Sequence, residues 1–176
     1  MTISWAAVQS IQAADAAEHF GRAQALGLEC PLDVFEQLFH DPTAREDFDS
    51  AVRSIDWANV LWEKTELSGV ALRRVAVPRP YQHAVDEARW RTLQEGVQDD
   101  RPEIIEHWQT AGTWLRSPIL VAGDVIGSPL GNECLIEFTR LGNLLGLLDR
   151  QEVPEAALHR VWLGRQHFTR HTAPQW

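Results

Sequence analysis

The chain has 176 residues, enough for one domain whose core needs neither a disulfide nor a metal to hold it. Hydrophobic residues make up 44% and charged residues 23%, ordinary globular proportions that exclude a disordered, collagenous or coiled-coil chain. Asp and Glu number 25 against 16 Lys and Arg, a net charge of −9, so a phosphate backbone is repelled and nucleic acid is not an expected partner.

Residues 13–28 are rich in alanine and good helix formers, with Phe20, Ala23 and Leu26 at helical spacing and Gly27 as a stop. Pro31 then suits a first helical turn, and Leu32, Phe35, Leu38 and Phe39 make one apolar face that ends at His40-Asp41-Pro42. Thr43 with Glu46 reads as a capping box for a third helix, buried through Phe48, Val52 and Ile55. Beyond Asp56, residues 60–67 and 72–77 read as strands separated by a turn at Leu67-Ser68-Gly69. Residues 81–94 read as a helix burying Val85, Ala88, Trp90 and Leu93. Residues 102–111 read as another, opened by Pro102 and closed by Gly112. The run 118–122 is a short buried strand, 123–133 a loop, 134–138 a strand, 139–148 a helix with Leu141, Leu144, Leu145 and Leu148 on one side, and 159–163 a last strand.

Helices come first and strands mixed with helices follow, which is an α+β arrangement. It divides into a helical part over residues 1–54, a mixed core over 55–166 sharing the same domain, and a loosely held tail over 167–176. No apolar run approaches the ~20 residues that cross a bilayer. Residues 1–5 lack the pattern of a secretory signal, so a cytoplasmic location and no membrane partner are expected. Cys30 and Cys134 then read as reduced, buried thiols.

The order of elements over about residues 105–163 resembles the core of the ParB/sulfiredoxin-like superfamily. The resemblance is carried by the helix ending in Ala111-Gly112, by the strand Pro118-Ile119-Leu120-Val121, and by Arg140-Leu141 where a second strand turns into a helix. In that superfamily a Gly-rich turn with an arginine opens the helix and binds nucleotide phosphates. The resemblance therefore implies a strand-to-helix corner at residue 140 and a nucleotide-binding or nucleotide-hydrolysing domain. Here Glu137 stands where the family pattern has glycine, and Phe138 and Thr139 replace its Glu/His and Arg/His residues. Glycine lets backbone approach a phosphate, and a carboxylate at the same place repels it.

Glu137, Thr139, Arg140 and Asn143 are the candidate anion or nucleotide site. Helix N–H groups, the Thr139 hydroxyl and Arg140 would hold the anion, or else Thr139 is a helix cap and Glu137–Arg140 an ion pair. Asp124 follows the 118–122 strand as a turn residue. His159, His167 and His171 do not make a metal signature, His107 reads as a helix-surface residue, and neither metal nor cofactor is expected. The eight tryptophans include Trp57, Trp62 and Trp114, candidates for a partner-binding surface. Residues 29–49 are strongly acidic. These features favour a non-catalytic acidic binding protein that recognises a protein partner, a basic one by charge, in the manner of a toxin-neutralising immunity protein. The nucleotide-binding reading is the alternative, and a sulfiredoxin-like redox role through Cys134 ranks last.

Overall fold

The computed structural model describes residues 2–41, 53–127 and 131–167. The expected third helix after Thr43, with Glu46, Phe48 and Val52, lies outside the described residues, as do Asp47, Asp49 and His171.

A short helix α1 (Trp5–Ser10), capped by Ser4, opens the chain and has no counterpart in the sequence reading. Next, α2 (Ala16–Ala25) is capped by the Asp15 carboxylate and ends before Gly27, whose φ of +94° suits glycine. Pro31 caps α3 (Leu32–Phe35), which runs on as a wider π-type turn over Glu36–His40 and ends at His40, as the proline at 42 requires. That turn buries Gln37 with Leu38 and Phe39.

The long strand β1 (Val60–Ser68) leads into one turn of helix, α4 (Gly69–Leu72). The expected strand at 72–77 is therefore absent: Leu72 closes α4, and only Ala76 makes a lone bridge, to Glu133. Two helices follow, α5 (Gln82–Glu95) and α6 (Pro102–Ala111). Gly112 takes the left-handed conformation that ends α6. Strand β2 (Ile119–Val121) is fully buried. The expected loop at 123–133 contains one helical turn, α7 (Gly123–Ile126), and the expected 134–138 strand shrinks to β3 (Glu133–Cys134). Phe138 already belongs to α8 (Phe138–Asp149), and β4 (Leu158–Gln166) is the last element among the described residues.

Among the described residues these elements make an α+β fold, eight helices and one mixed four-stranded sheet of order β1-β4-β2-β3. β1 and β4 pair antiparallel, β4 and β2 parallel, β2 and β3 antiparallel. The parallel pair needs a crossover, and α8 lies within it.

Alternate strand residues feed two cores. Val60, Ile119 and Val121 pack with Val8, Ala23, Phe35, Leu38 and Phe39, so α1–α3 cover one face. Leu120, Val161 and Leu163 pack with Val85, Trp108, Leu144 and Leu148, so α5, α6 and α8 cover the other. α5 and α8 meet through glycine: a Cβ on Gly142 would lie 2.5 Å from the Val85 carbonyl, and one on Gly146 2.8 Å from the Arg89 carbonyl. The buried residues of α5 are accordingly Val85, Ala88 and Thr92, while Trp90 (62% exposed) and Leu93, expected inside, face outward.

Candidate functional site

The strand-to-helix corner at residue 140 exists, and it borders a cleft. Its cavity of about 390 Å³ is lined by Asp99, Arg101, Ile104, Trp108, Leu115, Arg116, Glu137, Thr139, Arg140 and Asn143. The four candidate anion-site residues thus share one wall. Arg101, from the α5–α6 connection, and Arg116, from the segment before β2, complete the polar lining; sequence spacing alone did not connect them to residue 140. Ile104, Trp108 and Leu115 supply an apolar side.

Glu137 occupies the N-cap position of α8 with φ 68° and ψ 44°, the left-handed region that glycine favours. Glu137 therefore has a glycine-like backbone without being glycine. Its carbonyl accepts from the N–H groups of Arg140 (2.9 Å) and Leu141 (3.3 Å), and its side chain makes no cap. Thr139 is not the cap that the sequence suggested. It lies inside the first turn of α8, exposed at the cleft.

The Arg140 guanidinium is largely withdrawn from water, and burial pushes its pKa down against the opposing pull of Glu137. It pairs with the Glu137 carboxylate at 3.0 Å, donates to the Arg116 carbonyl at 3.0 Å and reaches Gln37 Oε1 at 3.4 Å. Arg116 donates to Asp33 Oδ1 (2.6 Å) and Glu36 Oε2 (2.8 Å). Burial alone would raise the Asp33 pKa; hydrogen bonds from the Trp162 indole and Arg116 outweigh it and hold the carboxyl below its usual range. Arg101 and Asp99 form a closed pair through two hydrogen bonds, 2.9 and 3.1 Å, which keeps Asp99 below its usual range too. Each arginine thus has a carboxylate of this chain against it. Asn143 is 7% exposed; its Oδ1 accepts from the Thr92 hydroxyl at 3.0 Å, and its Nδ2 hydrogen-bonds to no described residue.

The tryptophan surface is not formed. Trp57 (0% exposed) stacks on Trp62 at 6.3 Å inside the first core, and Trp62 is half-buried there. Trp114 (4% exposed) lies in the second core and donates to the Arg160 carbonyl at 2.5 Å. Aromatic count alone does not separate core from surface, and these rings fill the two faces of the sheet. Of the acidic stretch, Asp33 and Glu36 are committed to Arg116, and Glu29 is exposed.

A larger cavity, about 650 Å³, lies on the other side of Trp108, between α6 and the C-terminal ends of α5 and α8. His159 forms part of its wall. It is 2% exposed, its Nδ1 lies 3.0 Å from the Thr113 hydroxyl, and its Nε2 is sealed from solvent without a partner. Burial pushes its pKa down. His167 is exposed at the end of β4, Asp124 is exposed on α7 and His107 is half-buried on α6. Among the described residues no group of three or more His, Cys, Asp or Glu could hold a metal ion, and no helix is long and apolar enough to cross a membrane. Burial raises the thiols of Cys30 and Cys134 to about 12, so neither is a thiolate near neutral pH.

No family model, curated protein or solved structure matches the chain.

Proposed function

We propose that this chain is a binding protein whose ligand is a small anion, a phosphate or carboxylate on an apolar body, held in the cleft at the start of α8. The carrying observation is the convergence of Arg140, Arg116, Arg101, Thr139 and the Asn143 amide on one cavity with an apolar side. Its size falls within the ~300–1,000 Å³ of small-molecule sites. The Asn143 Nδ2 is an unused donor there, and the first turn of α8 adds backbone N–H groups and the positive end of its dipole. Glu137 and Asp99 act as internal counter-ions. A ligand anion takes over their role at Arg140 and Arg101, so affinity is the difference between two ion pairs and not the full strength of one.

A nucleoside phosphate fits this description, with its base against Ile104, Trp108 and Leu115. Thermal melts with ATP, GTP, ADP and inorganic phosphate, each with and without magnesium, test the reading. A nucleotide at 100-fold over its Kd adds ~2.7 kcal/mol of stability. Arg140→Ala abolishes the shift in a folded protein, and Glu137→Gln, which removes the competing carboxylate, enlarges it. No shift with any of these anions in both the wild type and Glu137→Gln overturns the proposal.

A second reading, recognition of a basic protein partner, is supported by the net charge of −9 and by Trp90, 62% exposed on the outer face of α5. A large aromatic ring in that setting is a common anchor at protein interfaces.

A further inference from the structure

β1 is an edge strand of the sheet. Two bonds fix which backbone groups point outward. His167 N–H donates to the Asn59 carbonyl, and Gly69 N–H to the Ala157 carbonyl. Both continue the β1–β4 register, in which Val60 lies opposite Gln166 and Ser68 opposite Leu158. Antiparallel strands alternate bonded and non-bonded pairs, so the odd-numbered residues of β1 bond to β4. The N–H and C=O groups of Val60, Trp62, Lys64, Glu66 and Ser68 then face away from the sheet. The Val60 N–H donates to the Trp57 carbonyl and the Ser68 carbonyl accepts the first backbone bond of α4, while the groups of Trp62, Lys64 and Glu66 have no hydrogen-bond partner among the described residues.

We propose that the chain forms a two-fold dimer by antiparallel pairing of β1 with β1 of a second copy, centred on Thr65. Antiparallel self-pairing about a two-fold axis places residue i opposite residue j and j opposite i. With Thr65 on the axis, Lys64 lies opposite Glu66 of the second copy, and Glu66 opposite its Lys64, on the same face. Trp62 lies opposite Ser68 in the same way. Trp62, Lys64 and Glu66 carry outward N–H and C=O groups, so each Lys64–Glu66 pair exchanges two N–H···O bonds and the Ser68 N–H donates to the Trp62 carbonyl.

The charges select the register. Centring on Lys64 sets lysine against lysine, and centring on Glu63 or Glu66 sets carboxylate against carboxylate. Like charges directly opposite are destabilising and opposite ones favourable. Lys64 is the chain's only lysine, and together with Glu66 it is exposed. Charged side chains on an edge strand ordinarily bar indiscriminate pairing. Here the order Lys64-Thr65-Glu66 bars the neighbouring registers and leaves one that is complementary to itself. The pairing joins two four-stranded sheets, and no residue of β1 lines the anion cleft, so it stands or falls apart from the ligand reading.

Sedimentation equilibrium of the full chain over a wide concentration range tests it. The wild type shows a monomer–dimer equilibrium. Lys64→Glu and Glu66→Lys each weaken association at least about tenfold by creating like-charge pairs. The double variant Lys64→Glu/Glu66→Lys restores it to within a few-fold, because the pairs return with their signs exchanged. Glu66 also pairs with Arg160 of its own chain at 3.3 Å, so circular dichroism checks each variant's fold. Lys64→Ala removes the charge alone and Lys64→Pro removes an outward N–H as well, so association falls further in Lys64→Pro than in Lys64→Ala. A wild type that stays monomeric overturns the proposal, and so does a dimer unmoved by these variants.

Discussion

The two ends of α8 do opposite work. From Gly142 to Gly146 and beyond it is pressed on α5, with no room for a methyl group on either glycine. Its N-terminal end opens on a 390 Å³ cleft, starts from a glutamate in a left-handed conformation and carries a desolvated arginine. One end is held by shape, the other by charges balanced against one another. A rigid element packed at one end can hold side chains at the other to the accuracy a binding site needs. The packed end therefore governs stability and the charged end governs ligand affinity, and substitutions can separate the two.

The largest effect is expected at the packed end. In Gly142→Ala the new Cβ meets the Val85 carbonyl and Ala88 Cβ, and in Gly146→Ala it meets Thr92 Cβ and the Arg89 carbonyl. Backbone cannot yield as a flexible side chain does. Overpacking costs about 1–3 kcal/mol, against a gain of up to ~1 kcal/mol from better helix propensity. Each variant should lose on the order of 1–2 kcal/mol in urea denaturation, and the pair more than either. An unchanged or higher midpoint would mean that the two helices are not held by glycine contact.

The same contact explains where sequence reading succeeded and failed. Pro102 and Gly112 bracket α6 at its true ends because proline and glycine act locally, whatever packs nearby. Gly27 and Pro31 marked the boundaries of α2 and α3 for the same reason. In α5, periodicity pointed to Trp90 and Leu93 because a core-facing stripe is normally made of large apolar residues. The real stripe is Val85, Ala88 and Thr92, small because α8 arrives backbone-first, and that information lies some fifty residues further along the chain. Glu137, Thr139, Arg140 and Asn143 were legible as a group because they lie within two turns of one helix. Arg101 and Arg116 join them only through tertiary packing. Trp57 and Trp114 were misplaced because the tryptophan count carries no sign of inside or outside.

A smaller effect comes from the wall of the larger cavity, beside the packed end of α8. The His159 Nε2 is buried without a partner, and burial holds the imidazole below its usual pKa of about 6.5. The unfolded chain takes up a proton as pH falls through ~6.5, while the folded chain resists until the lower folded value. The unfolded state then binds more protons, so stability falls between those two values and is unaffected above them. The slope from this one group is at most about 1.4 kcal/mol per pH unit. Denaturation of the wild type and of His159→Gln between pH 7 and 5 isolates it: the difference in stability should shift toward the variant as the solution becomes more acidic. Parallel profiles would show that His159 takes its proton as readily folded as unfolded.

The smallest change in stability, and the most informative about the cleft, is expected from Glu137→Gly. A non-glycine residue in the left-handed region costs ~1–2 kcal/mol. Against that stands the loss of the Glu137–Arg140 pair, whose side chains are 29% and 20% exposed. Arg140 keeps its bonds to the Arg116 carbonyl and to Gln37, so it is not left without partners. The two contributions are of similar size and opposite sign, and the melting temperature should move little. Anion affinity should move much more. The substitution removes the carboxylate that competes for Arg140 and lets the backbone at the start of α8 come closer to a bound phosphate. Tighter nucleotide binding at nearly constant stability would identify Glu137 as a counter-ion that holds the cleft in reserve. A large fall in stability without any gain in binding would instead make the Glu137–Arg140 pair a part of the scaffold, and the charged end of α8 would then differ from its packed end in chemistry but not in purpose.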